Sequence, residues 1–260
     1  MKNERYRREP ENIPEENENQ LEGRNALTEA LKSGRTIDKV FIAAGDTDRA
    51  LQRLAAQAKE AGAVVVPVDR RKLDAMSTTH SHQGVITLAA AHEYSTIDDI
   101  LQEAADRGEN ALIVICDELT DPHNLGAILR SAECAGAHGV IIPKRRSVGL
   151  TAVVAKASAG AVEYMKVARV TNINNAIAEL KEKGVWIFGT AAEGSIPMYQ
   201  ADLTGPAAIV IGNEGQGMSP LVRKNCDVTV NIPMKGRISS LNASAAASIL
   251  LYEAVRQRLG

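Results

Sequence analysis

The sequence predicts an α/β protein in two units, the larger and C-terminal one built on a mostly parallel sheet. Helical and strand periodicities alternate along almost the whole chain. The strand segments of the second half, such as 111–116 and 207–212, are short Val and Ile runs without polar alternation, as expected of strands covered on both faces. A polar stretch near 92–108 interrupts the alternation. With 260 residues, 45% of them hydrophobic, the chain can bury one large core or two modest ones.

Residues 1–20 mix Glu, Asn, Arg and Pro with almost nothing apolar, so they cannot offset the entropy of ordering and read as a disordered tail. Over 21–91 a small α/β unit follows: a helix at 21–32, a strand at 39–43, a helix at 47–61 ended by Gly62, the β-branched run Val64-Val65-Val66, a polar stretch, and a strand at 84–89. Residues 92–108 read as a linker holding one amphipathic stretch, 97–105. The second unit, 109–260, has strands at 111–116, 139–142, 185–189, 207–212 and 228–232, helices at 124–135 and 173–183, and a closing helix over 241–259.

Composition excludes several classes. The first 20 residues are charged and lack an apolar core, unlike a secretory signal. No apolar run approaches the roughly 20 residues that span a bilayer. A soluble, cytoplasmic protein without membrane partners is expected. Cys116, Cys134 and Cys226 are far apart and flanked by apolar or small residues, which suits small buried hydrophobes in a reducing compartment. Among five histidines only His80 and His82 are close, two apart as on one side of a strand, with no further ligand in view. No metal is expected. The net charge of −2 does not advertise nucleic-acid binding, so any RNA contact must come from local patches such as Arg70-Arg71-Lys72 and Lys144-Arg145-Arg146. Taken alone, each triplet reads as a solvated face.

Three segments of the second unit fall where a strand runs into a loop or helix, the places where open parallel sheets bind ligands. In Asp121-Pro122-His123-Asn124, a turn opens a helix with Asn124 at the N-cap position, and Arg130 follows among Ile128, Leu129 and Ala132. An Arg there must reach solvent or meet an anion, and pairing with Glu133 is the plain alternative. In Ile211-Gly212-Asn213-Glu214-Gly215-Gln216-Gly217-Met218, glycines after a strand permit close approach to the backbone. The segment is no phosphate loop, since the Gly-Lys-Ser/Thr ending is absent and Glu214 would repel phosphate. Ser219-Pro220 reads as an N-cap and first helical residue. In the third, Ile232-Pro233-Met234 leads through a glycine loop to Ser240-Leu241-Asn242-Ala243-Ser244 at a helix start, where Ser239 or Ser240 could cap.

Together the three segments resemble, in order, the three motifs of the SpoU (TrmH-like) RNA 2′-O-ribose methyltransferases of the SPOUT class. Glu22-Gly23-Arg24-Asn25-Ala26-Leu27 and His82-Gln83-Gly84-Val85 extend the resemblance to the ribosomal-protein-L30e-like RNA-binding domain that many members carry. Within the family the sequence is most similar to enzymes acting on a guanosine of large-subunit 23S rRNA. The resemblance implies a knotted parallel-sheet catalytic domain with a trefoil knot near the C-terminus, a homodimer, S-adenosylmethionine as methyl donor, and RNA (23S rRNA or a ribosome assembly intermediate, with tRNA possible) as acceptor. By the same resemblance Arg130, Asn124, Glu214, Ser240 and Asn242 form the catalytic group. Thr190, Ala191, Gly194, Gly212, Ile232, Met234 and Leu241 would hold the donor.

Relatives are held to use the arginine at the Arg130 position as a base, yet a guanidinium is effectively never deprotonated in proteins. Stabilisation of a developing ribose alkoxide by Arg130 is the physically easier role, with Glu214, Ser240 and Asn242 orienting it. The alternatives are the same chemistry on tRNA, or a noncatalytic RNA-binding or ribosome-assembly factor. A nucleotide hydrolase lacks its lysine and acidic metal ligands.

Overall fold

The computed structural model describes residues 19–45, 48–90, 92–191, 196–213 and 215–260. The expected tail (apart from residues 19 and 20), Thr47, Gly194 and Glu214 lie outside the described residues.

The N-terminal unit is a four-stranded sheet in the order β1-β4-β2-β3, with β1 Gln20–Glu22, β2 Ile37–Ala43, β3 Val64–Val68 and β4 Val85–Ala89. Helices α1 (Arg24–Lys32), α2 (Arg49–Glu60) and α3 (Arg70–Met76) pack on it. Leu27, Val40, Leu51 and Val85 close one face, and Leu73 and Ile86 the other.

Three readings change here. Leu21 and Glu22 are strand, not helix: they pair antiparallel with Thr87 and Ile86 of β4, and Gly23, at φ +92°, breaks the chain before α1. The polar stretch after β3 holds helix α3, whose apolar content is too small to show a period. His80 and His82 are not on a strand. His82 Nδ1 accepts from the Gly84 amide (3.0 Å) and Nε2 meets Asp74 (2.9 Å), which pins the loop before β4.

Helix α4 (Ile97–Asp106) follows, opened by a capping box of Thr96 and Asp99. Its Ile97, Ile100 and Ala104 are buried against Ile113, Ile115 and Ile141 of the second sheet, so the amphipathic stretch is part of that core. The sheet has seven parallel strands in the order β7-β6-β5-β10-β8-β11-β9. They are β5 Leu112–Cys116, β6 Gly139–Pro143, β7 Val167–Val170, β8 Trp186–Thr190, β9 Ile196–Pro197, β10 Ala207–Ile211 and β11 Val228–Asn231.

Along β5 the side chains alternate between two cores. Leu112, Val114 and Cys116 meet α5 (Pro122–Cys134), α6 (Ala152–Ala157) and α9 (Ala243–Leu259); Ile113 and Ile115 meet α4, α7 (Ile173–Glu182) and α8 (Pro220–Asn225). Covering on both faces is why these strands read as unbroken apolar runs. Strand β7 and helix α6, between 143 and 172, are absent from the sequence reading because each is short and carries polar neighbours. Strand β10 enters between β5 and β8, both earlier in the chain. That insertion places the carboxyl ends of β8, β10 and β11 side by side.

Candidate active site

The three strand ends open into a cleft of about 860 Å³, within the range of small-molecule sites. Thr190 ends β8 and Ala191 follows it, Gly212 follows β10, and Ile232 and Met234 follow β11; with Leu241 and Ser240, just before α9, all line it. Of the expected donor-binding residues, only Gly194 is outside the described chain.

The wall after β10 is a hairpin-like loop. Asn213 and Gly217 exchange backbone hydrogen bonds (3.0 and 2.8 Å), Asn213 Oδ1 accepts from the Gly215 amide (2.9 Å), and Gly217 sits at φ +68°. Gly212 is required by this return of the chain: a Cβ there would stand 2.3 Å from the Gly217 carbonyl carbon and the Met218 nitrogen. Asp117 ties the loop to the sheet, its Oδ2 accepting from the Ser219 amide (2.7 Å). Across the cleft, Thr190 Oγ1 donates to the Val210 carbonyl (2.9 Å) and the Ala191 amide to that of Val230 (3.0 Å).

A methyl donor with a flat base and a charged sulfur fits this lining. Backbone at the three strand ends offers hydrogen-bonding groups, whereas Met234, Ile238 and Leu241 expose apolar surface (39%, 74% and 37%) that a ring system would cover. No group of His, Cys, Asp and Glu among the described residues could hold a metal. Burial pushes the Cys116 thiol up to about 12 and the Cys226 thiol up to about 11, so neither supplies a thiolate at neutral pH.

The expected catalytic residues divide. Asn242 Nδ2 donates to Asn124 Oδ1 (2.8 Å), joining the first and third motifs. Their capping roles differ from expectation. Asp121 caps α5, accepting from the His123 amide (2.9 Å), so Asn124 lies one turn inside, buried, with its amide turned to α9. Asn242 caps α9 through the Ser244 amide (2.9 Å), leaving Ser239 and Ser240 in the loop. Ser219 precedes α8 as expected, with Pro220 first, but its side chain makes no capping bond.

Arg130 is exposed on α5, makes no hydrogen bond or ion pair among the described residues (Glu133 included), and does not line the cleft. A single chain therefore assembles the cleft and the Asn124–Asn242 pair but does not bring Arg130 into the cleft lining.

Asn213 is a residue the sequence reading passed over. Besides shaping the glycine loop it donates through Nδ2 to the Glu118 carbonyl (3.2 Å), fixing the loop to the turn after β5. An Asn within a glycine run was the available signal, since Asx side chains close such turns. Arg237, in the loop before α9, also lines the cleft.

In the N-terminal unit the two resembling ends meet. The Arg24 amide donates to Gln83 Oε1 (3.2 Å) and its guanidinium Nε to the Gln83 carbonyl (3.1 Å). Burial works to raise the Glu22 carboxyl, but hydrogen bonds from Ser77, Thr79, Thr78 and Gln20 outweigh it and hold the group well below the usual carboxylate range. Arg24, Arg70, Gln83 and Gly84 line a second cavity of about 400 Å³, beside Arg71 and Lys72. Of the other basic triplet, Arg146 is paired with Glu118 (2.6 Å).

Comparison with known proteins agrees with this geometry. The SpoU rRNA Methylase family matches residues 111–252, and the RNA 2′-O ribose methyltransferase substrate binding family matches 20–95. YacO of Bacillus subtilis (strain 168), described as a TrmH family tRNA/rRNA methyltransferase, is 47% identical over 236 residues, covering 91% of this chain and 94% of its own. An S-adenosylmethionine-bound rRNA methyltransferase from Sinorhizobium meliloti is 27% identical, covers 93% of this chain and 88% of its own, and superposes with a TM-score of 0.59. A TrmH/SpoU tRNA-modifying enzyme of A. aeolicus is 31% identical but covers 58% of this chain and 77% of its own, with a TM-score of 0.54.

Proposed function

We propose, from the premise that this chain belongs to the SpoU family of S-adenosylmethionine-dependent RNA 2′-O-ribose methyltransferases, that it methylates a guanosine ribose in 23S rRNA. The observation that carries the choice of rRNA is the N-terminal unit, with its two-arginine cavity at Arg24 and Arg70. The S. meliloti rRNA enzyme matches nearly the whole chain, whereas the tRNA-modifying relative matches little more than half.

When bound, S-adenosylmethionine supplies an electrophilic methyl group on a positively charged sulfur. The chain's tasks are alignment and charge stabilisation. Backbone at Gly212, Ile232 and Leu241 would hold the donor, and the Asn213-pinned loop keeps that wall from moving. As the ribose 2′-oxygen forms its bond to the methyl carbon, the carbon–sulfur bond would break with its electron pair left on a neutral thioether, and the hydroxyl proton would pass to solvent water. Arg130, permanently charged, would stabilise the oxygen as it loses that proton, and the Asn124–Asn242 hydrogen bond holds together the starts of α5 and α9, beside which the acceptor would lie.

Arg130 stands on α5, which packs against α9 with Ser131 Oγ 2.7 Å from Ser248 Oγ, and α9 leaves Tyr252 exposed and Ile249 half-buried. Exposed apolar side chains such as Tyr252 and Leu259 on this helix suit a face that is covered. A homodimer across α5 and α9 would cover it and bring Arg130 to an acceptor site.

The test is transfer of labelled methyl to unmodified 23S rRNA and to total tRNA. Label on 23S rRNA as 2′-O-methylguanosine is expected, with kcat lowered about 10²–10³-fold in Arg130→Ala. Label on tRNA alone would replace the substrate, and none on either would leave a noncatalytic RNA-binding protein.

A further inference from the structure

Asp38 lies at a register shift between β2 and β4, where Ile37 pairs with Ala89 and Lys39 with Leu88. A bulge of this kind re-aims one side chain out of the pleat. The Asp38 carboxylate leaves its own sheet and enters the catalytic unit, where it is 4% exposed. Its Oδ1 accepts from Arg169 Nη1 on β7 (2.6 Å) and from the Tyr94 hydroxyl (2.8 Å), and its carbonyl accepts from Arg169 Nη2 (3.1 Å). The Arg169 guanidinium carbon is 5.2 Å from the Tyr94 ring centre. Tyr94 in turn accepts from the Leu150 amide (2.8 Å). Gly149 is the floor: a Cβ there would stand 2.3 Å from Asp38 Oδ2 and 2.8 Å from the Tyr94 oxygen.

The loop beneath runs on to the cleft. Val148 donates to the Leu119 carbonyl (3.0 Å), Arg146 to Glu118 (2.6 Å), and the Glu118 carbonyl accepts from Asn213, which lines the donor site (3.2 Å). Stability alone is a poor reason for such a cluster. Apolar residues would hold two surfaces as firmly, and here Arg169 Nε is buried without a hydrogen-bond partner. Directional bonds differ from apolar contact in admitting one orientation only.

We propose that Asp38, Tyr94, Arg169 and Gly149 are positioning residues that latch the N-terminal RNA-binding unit onto the catalytic unit in one orientation, so that an RNA touching both meets a rigid, preset span. The proposal rests on the RNA-methyltransferase reading but not on the choice of RNA. A latched pair of sites binds a bridging ligand more tightly than the same pair on a flexible tether, because the second contact is made at higher effective concentration.

The test uses the full chain with Asp38→Ala and, independently, Gly149→Ala, which forces the latch apart without removing a charge. In both, S-adenosylmethionine affinity and kcat at saturating RNA should stay within about twofold of wild type. KM for RNA should rise about tenfold, and small-angle scattering should show a larger radius of gyration. Arg169→Lys, keeping the cation, should raise KM less. Unchanged scattering in both variants, or an expanded molecule with unchanged KM, would overturn the latch. If the wild-type enzyme proves to methylate tRNA, the comparison is made on tRNA, so loss of the 23S reading leaves this one standing.

Discussion

At the scale of single residues the cleft is governed by backbone, and its side chains serve mainly to hold backbone in place. Gly212 shows this most directly. Its missing Cβ is the space through which the chain returns at Gly217 and Met218, so Gly212→Ala cannot be relieved by a rotamer change. S-adenosylmethionine affinity should fall at least about tenfold, a loss of about 1.4 kcal/mol. Calorimetric titration measures it, and wild-type affinity would mean the loop can open without cost. His138 acts on stability instead. Burial pushes its imidazole below the ordinary value, against partial support from Glu109. Nδ1 accepts from the Leu112 amide at the start of β5 (3.0 Å), which requires an unprotonated nitrogen there. The unfolded chain therefore takes up the proton first as pH falls. The contribution is whole above about pH 6.5 and is lost as pH drops towards the depressed folded value. Urea midpoints at pH 7.5 and 5.5 should differ more for the wild type than for His138→Gln; equal differences would remove His138 from the account.

At the scale of elements, α9 is the junction on which the first and third motifs depend. Asn242 holds its first turn by accepting from Ser244 and Ala245, while its amide donates to Asn124. Asn242→Asp keeps the cap and loses the donor, whereas Asn242→Ala loses both. Denaturation should show Asn242→Ala destabilised by about 0.5–2 kcal/mol and Asn242→Asp by less, with methyl transfer falling in each. Full activity in Asn242→Asp would make the residue a cap and nothing more. The elements legible in the sequence are those with a clear period or an apolar run, among them α2, α7, β5 and β10. The illegible ones are decided by partners. Strand β1 exists because β4 offers it a free edge, and α3 and β7 are short segments whose burial comes from distant residues. That Asn124 and Asn242 stand at helix starts was legible, but their partners were not, because Asp121 and not Asn124 caps α5 and the Asn242 amide reaches Asn124.

At the scale of the whole molecule, α4 decides where the catalytic unit begins. Its Ile97 and Ile100 are at most 6% exposed against the second core, and each buried isoleucine is worth about 1.5–3 kcal/mol. A chain starting at residue 93 should fold and bind S-adenosylmethionine, whereas one starting at 109 should lose several kcal/mol or fail to fold. Equal urea midpoints for the two would show that α4 is a passive connector.

The sequence alone determined the α/β class, the mostly parallel sheet and the family, because buried strands, glycine turns and capping residues leave local signatures that short segments carry by themselves. Most of the expected donor-binding positions also line the cleft. Only the tertiary structure decided that β10 enters between β5 and β8, that Asn242 reaches Asn124, that Arg130 stands outside the cleft of its own chain, and that Asp38 crosses from one unit into the other. Each of these depends on which distant segments meet. That is settled by packing and directional hydrogen bonds between residues as far apart as Asp38 and Arg169, and no local pattern encodes it.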